Sequence, residues 1–187
     1  VLVLGVGKMT KKLGQMMDTD KRYTTVIDLS ATTRGHDAEG EREEVEVARI
    51  PTREKVADAV ATFSGEIMQA PPIFSAVKVD GHRAYASARM GKEVKIEPRK
   101  ATVHAIEVLK YEWPIVTIEV ACAKGFYVRA LARDLGKALG TGGYCLEIRR
   151  IEVGRFTLEM AKQLESLPEF LTQDDLLSPD QVEQLLL

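Results

Sequence analysis

Apolar and polar positions alternate along this chain in short runs bounded by turn residues, a pattern that predicts strands. Lys21 to Ser30 alternates in this way around Tyr23, Thr25 and Ile27. A polar stretch over 31–43, with Gly35 and Gly40, reads as a loop or hairpin end, and Glu44 to Ile50 as the returning strand. Arg99 to Trp113 and Ile115 to Ala123 are long runs rich in β-branched residues, joined near Pro114, and predict an antiparallel pair. Tyr144 to Val153 predicts another strand, with Gly154 as its turn. Val1-Leu2-Val3-Leu4 predicts a buried strand with no polar lead-in. Chain termini usually lie at the surface, so the expectation is that further residues precede Val1.

Between these runs the spacing changes to that of helices. Thr10 is placed to cap a short helix through Met17. Pro51-Thr52 opens a helix with Thr52 as N-cap, and Val56, Val60 and Phe63 make its apolar face. The Pro71-Pro72 pair imposes an extended backbone after Gln69, followed by a short strand and an Asp80-Gly81 turn. His82 to Met90 reads as a short helix ended by Gly91. Lys124-Gly125 turns a strand directly into a helix that carries Tyr127, Arg129 and Arg133. Thr141-Gly142-Gly143 is a loop, and from Leu158 onward the pattern is acidic and helical, broken at Pro168 and Pro179. The sum is an α+β fold with a mixed, largely antiparallel sheet flanked by helices.

Composition narrows this picture. A chain of 187 residues suits one domain, or one domain with a short appendage. The division expected is 1–156 as the main domain and 157–187 as an acidic helical tail. Cys122 and Cys145 lie in strand-like runs and read as buried, reduced thiols rather than a disulfide frame or a metal site. No run approaches the roughly 18 apolar residues of a membrane span, so a soluble, cytoplasmic protein is expected.

Net charge is −2, but it is unevenly distributed. Residues 1–150 hold 24 Lys and Arg against 20 Asp and Glu, whereas residues 151–187 hold 2 against 8. Two segments are strongly basic: 78–100, with seven basic residues against three acidic, and 120–150, with six against two. Clustered positive charge suits phosphate contact. In 78–90 the bases Lys78, Arg83 and Arg89 are interleaved with Tyr85, which suits RNA through phosphate pairing and base stacking. A solvated basic face explains the same charge.

The corner at Lys124-Gly125-Phe126-Tyr127-Val128-Arg129 concentrates the candidate chemistry. It presents an aromatic ring and a guanidinium, which can hold a phosphate or a carboxylate, including an enzyme's own catalytic carboxylate. The plainer reading is a helix start whose Tyr packs and whose Arg makes an ion pair. Gly5-Val6-Gly7-Lys8-Met9-Thr10 has half the look of a P-loop but not the spacing, which argues against nucleotide binding.

Taken together, Lys21-Arg22-Tyr23, Gln69-Ala70-Pro71-Pro72, Ser75-Ala76-Val77-Lys78 with Gly81, Tyr85 with Ala88-Arg89, Gly125-Phe126-Tyr127-Val128-Arg129 and Asp134-Leu135-Gly136 resemble one family. Val1 to Lys11 and Leu146-Glu147-Ile148-Arg149-Arg150 complete the ordered set. The chain resembles the TruB family of tRNA pseudouridine synthases, of the bacterial stand-alone type. That resemblance implies isomerisation of a T-loop uridine, at position 55 in tRNA numbering, to pseudouridine. The N1 glycosidic bond breaks, the base turns, and C5 bonds to the ribose. The resemblance implies no cofactor, no metal, no obligate protein partner and a monomer acting on tRNA. The base must leave its stack to be reached.

The roles that the resemblance carries over are these. Tyr23 stacks on the flipped base and helps manage the C5 proton, Arg129 pairs with the catalytic Asp, and Tyr127 lines the pocket. Ile148 forms part of the pocket's apolar wall, and Lys11, Lys78, Arg83, Tyr85 and Arg89 grip the RNA. The family's catalytic Asp lies in a motif before the position of Val1, so this sequence is expected to carry the pocket and not the nucleophile, and to be inactive alone. Phe126 stands where the family usually has Thr, and residues 157–187 are too short and too acidic for the PUA-type module of many bacterial members. The competing reading is a non-catalytic RNA-binding or tRNA-folding module on the same fold. A guide-RNA-dependent enzyme working with partner proteins ranks behind both.

Overall fold

The computed structural model describes residues 1–75, 78–79, 82–83 and 96–186. Six strands pair into one sheet: β1 (Lys21–Asp28), β4 (Gly65–Gln69), β7 (Arg99–Glu112), β8 (Ile115–Cys122), β9 (Tyr144–Val153) and β10 (Phe156–Thr157). Their order is β10-β9-β1-β8-β7-β4, and every pairing is antiparallel. Two small hairpins lie apart from it: β2 (Ala31–Thr33) with β3 (Arg42–Glu44), and β5 (Lys78–Val79) with β6 (His82–Arg83).

Only one face of the sheet is apolar. Val116, Ile118, Val120 and Cys122 alternate along β8 and are buried, and Ile27 opposite Val116 joins them. Helices α2 (Arg53–Ala61) and α3 (Val128–Leu139) cover this face with Val56, Val60, Leu131 and Leu135. Thr52 caps α2, its hydroxyl accepting from the Lys55 N–H at 3.4 Å. Burying a side chain of the Leu or Val type contributes about 1.5–3 kcal/mol, so this layer dominates stability. The opposite face is polar, and Arg22 there bridges Glu119 and Glu152, each at 3.0 Å.

The helix α3 also meets a loop at very close range. A Cβ added to Gly136 would collide with the carbonyl of Gly142, and one added to Gly143 with that of Ala132. The Gly residues of Asp134-Leu135-Gly136 and Gly142-Gly143 therefore serve backbone-to-backbone packing.

Several elements depart from the sequence reading. Val1 to Val6 is outside the sheet: Val1 and Val3 pack on a small second cluster around Met16, Phe156 and Val182, while Leu2 and Leu4 are 72% and 75% exposed. The Thr10 hydroxyl does not cap a helix. It donates to the Gly7 carbonyl at 2.8 Å inside a 3-10 segment, Gly7–Lys12, and α1 (Leu13–Met17) follows with Lys12 at its N-cap. The returning strand is the short β3, which meets the expected Glu44 to Ile50 only at Glu44, and 45–50 forms no strand. β4 was not expected, since Gly65 to Gln69 barely alternates; its pairing with β7 makes it a strand.

His82 and Arg83 are strand, not the first turn of a helix. Lys78 faces Arg83 and Val79 faces His82, which leaves two residues between the strands, and a two-residue Asp-Gly connection favours a hairpin. The remainder of that expected helix, with Tyr85 and Arg89, lies outside the described residues. The acidic tail holds three single 3-10 turns, Leu158–Met160, Leu164–Ser166 and Gln173–Asp175, and then α4 (Pro179–Leu186). Pro179 opens α4 rather than breaking a helix, as suits a residue with no N–H to leave unpaired in the first turn.

Candidate active site

After β8 the chain turns at Gly125, whose φ of 93° lies in the left-handed region open to Gly. Tyr127 is still extended and precedes α3 instead of belonging to it. Its backbone is held by the side chain of Gln69, the last residue of β4. Gln69 Oε1 accepts from the Tyr127 N–H at 2.8 Å, and Gln69 Nε2 donates to the Tyr127 carbonyl at 3.2 Å. Gln69 is only 3% exposed.

In the first turn of α3, Arg129 reaches back over two loops. Its Nη1 donates to Asp37 Oδ2 at 2.6 Å and to the Gly35 carbonyl at 3.5 Å, and its Nη2 donates to the Phe74 carbonyl at 2.8 Å. Both charged side chains are mostly covered, which strengthens the pair relative to one in water. Asp37 is fixed in turn. The Thr33 hydroxyl accepts from its N–H at 3.1 Å and donates to its carbonyl at 2.7 Å, and the Cys145 N–H donates to the His36 carbonyl at 3.0 Å, tying the loop to β9. Arg133 adds a further tie, donating to the Ala70 carbonyl at 2.9 Å while it pairs with Asp134.

Sequence reading missed Asp37 and the clamp at Gln69. Asp37 and Arg129 are 92 positions apart, and no spacing rule links a polar loop to a distant helix start. His36, beside Asp37, has φ 57°, and its Nδ1 is buried without a hydrogen-bond partner among the described residues. Burial, first, and then the nearby Arg133 and Lys137 hold its imidazole below its ordinary pKa. The buried Ser75 hydroxyl is likewise without a partner among the described residues.

Tyr23 and Ile148 share the apolar face with this corner. Across β1, Tyr23 faces Arg150, Thr25 faces Ile148, and Ile27 faces Cys145. Cys145 lies under the start of α3, its Sγ 3.7 Å from the Val128 carbonyl. Cys145 and Ile148 are three residues apart yet both belong to this face, because the β1–β9 register shifts between Val26 and Ile27. From Tyr23 to Ile27 is about 13 Å of strand at ~3.3 Å per residue, with the 41%-exposed Ile148 between them. Burial raises the Tyr23 phenol pKa, and the Arg150 guanidinium beside it acts in the opposite direction. Arg150 Nε also donates to the Val1 carbonyl at 2.9 Å, which brings the first residue of the chain to the Tyr23 end of this face.

The other predicted residues are not gathered here. Lys11 is exposed on the 3-10 segment. Only the strand assignment and pairing of Lys78 and Arg83 are described, and Tyr85 and Arg89 lie outside the described residues. Lys21 caps α1, donating to the Met17 carbonyl at 2.8 Å and to that of Thr19. Among the described residues no group of three His, Cys, Asp or Glu is placed to hold a metal ion. Cys122 and Cys145 are buried and free, and burial pushes their thiols up to about 12 and about 11. No helix is long and apolar enough to cross a membrane among the described residues.

The arrangement is a guanidinium that keeps donors to spare, beside an apolar face with a phenol and an aliphatic wall, which suits a planar base and an anionic group. The comparisons are consistent with that chemistry. A family model described as "TruB family pseudouridylate synthase (N terminal domain)" matches residues 1–128, and "tRNA pseudouridylate synthase B C-terminal domain" matches residues 129–187. The chain belongs to the TruB family.

Among its TruB relatives is tRNA pseudouridine synthase B of Parabacteroides distasonis, 39% identical over 174 residues, covering 93% of this chain and 74% of the relative. The protein of that name from Rhodococcus jostii is 48% identical over 174 residues, covering 90% of this chain and 57% of the relative. Several relatives are thus matched over little more than half of their length. The crystal structure of a Cbf5–Nop10–Gar1 complex matches with a TM-score of 0.63 at 26% identity, covering 87% of this chain and 39% of that one. The α+β fold expected from the sequence is therefore the fold of pseudouridine synthases.

Proposed function

We propose that this chain supplies the substrate pocket of an enzyme that converts a T-loop uridine of tRNA to pseudouridine. The observation that carries the reading is the Arg129 guanidinium, which is anchored on the Phe74 carbonyl and on Asp37, itself bridged to Cys145 of the face that holds Tyr23 and Ile148. The isomerisation conserves every atom: the N1–C1′ bond breaks, a C5–C1′ bond forms, and the C5 proton is replaced by one on N1. No oxidant or reductant is involved, the base that departs through N1 is recaptured through C5, and the reading calls for no cofactor.

In this reading the flipped base stacks on Tyr23 and is bounded by Ile148 and Tyr127. The nucleophilic carboxylate comes from an Asp upstream of Val1. Support for that placement is the position of Val1, bonded to Arg150 opposite Tyr23. Arg129 orients this carboxylate with the N–H groups left over from Asp37 and Phe74 and keeps it ionised. Lys11, Lys78, Arg83, Tyr85 and Arg89 hold the RNA, 1–156 acts as the catalytic domain, 157–187 is an appended tail, and the enzyme works as a cytoplasmic monomer. The test is incubation of the intact natural protein with unmodified tRNA, followed by mapping of pseudouridine. Conversion at the T-loop uridine is expected. Binding without conversion would replace this reading with that of an RNA-binding or tRNA-folding module.

A further inference from the structure

Three hydrogen-bonded points tie the segment from Gln69 to Ser75 to the start of α3. Gln69 clamps the backbone of Tyr127, the Ala70 carbonyl accepts from Arg133, and the Phe74 carbonyl accepts from Arg129. The first tie differs from the others in direction: there the segment's own side chain holds the helix start. Tyr127 makes no side-chain cap for α3, so the amide of Gln69 fixes the backbone at that position. An amide is suited to the task because it pairs with one N–H and one C=O at once. Truncating it would leave a buried N–H unpaired, which is unfavourable.

We propose that Gln69 is a positioning residue for the isomerisation. It sets the backbone from which the Tyr127 ring projects. Two residues further on, the same backbone carries Arg129, whose guanidinium is held at its other end by Phe74 of the Gln69 segment. Gln69 thereby closes a ring of contacts running from Gln69 to Tyr127, Arg129, Phe74 and back along the chain. The proposal rests on the isomerase reading above and adds to it a residue that touches no substrate. A displacement of about 1 Å at a reacting group can cost on the order of 100-fold in rate.

The test uses Gln69→Ala and Gln69→Glu in the intact natural protein, with single-turnover conversion and tRNA binding measured side by side. Gln69→Ala is expected to lower the conversion rate about 10- to 100-fold while tRNA affinity stays within about twofold. Gln69→Glu gives a signature that loss of stability alone cannot give. Its carboxylate still accepts from the Tyr127 N–H but opposes the Tyr127 carbonyl with no proton to donate. Burial and that carbonyl raise its pKa, and protonation restores the donor. The rate of Gln69→Glu, relative to wild type, is therefore expected to recover as pH is lowered. A parallel pH profile, or an unchanged rate in Gln69→Ala, overturns the proposal. If Gln69→Ala fails to fold, the pH profile of Gln69→Glu decides alone. Wild-type protein that converts no uridine overturns the isomerase reading as well, whereas active wild type beside unaffected variants overturns only the role of Gln69.

Discussion

Arg22 and Arg129 are both held by carboxylates, on opposite sides of the same sheet, and they are held differently. Arg22 projects from β1 on the polar face and meets two carboxylates, Glu119 and Glu152, both at 3.0 Å. Arg129 reaches over the apolar face and meets one carboxylate, Asp37 at 2.6 Å, with backbone carbonyls as its other partners. The first set is over-neutralised and stitches three strands together. The second is balanced by a single carboxylate, and the Arg129 Nε–H has no partner among the described residues. A fold needs only the first kind of arrangement. The second is what a site needs if another anion is to arrive.

This contrast can be broken by substitution. The largest effect is expected for Arg129→Lys, which keeps the charge but not the planar fork that reaches Asp37 and Phe74 together. Conversion should fall at least about 100-fold, or about 2.7 kcal/mol of barrier, with tRNA affinity nearly unchanged. Asp37→Asn comes next. It keeps the shape of the loop and removes the charge that orients Arg129, so a loss of about 10-fold in rate is expected, equivalent to about 1.4 kcal/mol. An unaltered rate in this variant would show that Phe74 and Gly35 alone suffice to aim the guanidinium.

Arg22→Met should leave conversion unchanged and cost about 1 kcal/mol of stability or less, read by urea denaturation, since partly exposed ion pairs contribute little. The smallest effect is expected at His36. Its folded imidazole is kept neutral, whereas the unfolded one takes a proton near its ordinary pKa of 6.5. As pH falls through 6.5 the unfolded state gains a proton that the folded state refuses, so stability declines. His36→Asn, which tolerates the positive φ, should show a smaller loss of Tm between about pH 7 and pH 5.5. Equal losses in both proteins would remove His36 from the account.

What was legible in the sequence depended on how local the cause was. β7, β8 and β9 follow from β-branched alternation, and α2 follows from Thr52 with Val56, Val60 and Phe63. The corner at Gly125 to Arg129 stood out because a Gly turn, an aromatic and an Arg lie together in the chain. What failed was non-local. β4 exists because β7 pairs with it, and the partner of Arg129 lies in a polar loop that carries no periodic signal. Val1 to Leu4 misled because an apolar run reads as buried whether or not a layer covers both of its sides. The residues after Gly81 have a helical spacing, but the two residues between the Val79↔His82 partners make His82 part of a hairpin.

The most direct measurement of the contrast places rate and stability side by side for Arg129→Lys and Arg22→Met in the intact protein. Single-turnover conversion of the T-loop uridine and urea denaturation are measured on the same preparations. A crossed result is expected: Arg129→Lys loses its rate and keeps its midpoint, and Arg22→Met keeps its rate and shifts its midpoint downward. Variants that lose both properties together, or an Arg129→Lys that converts uridine at the wild-type rate, would contradict it.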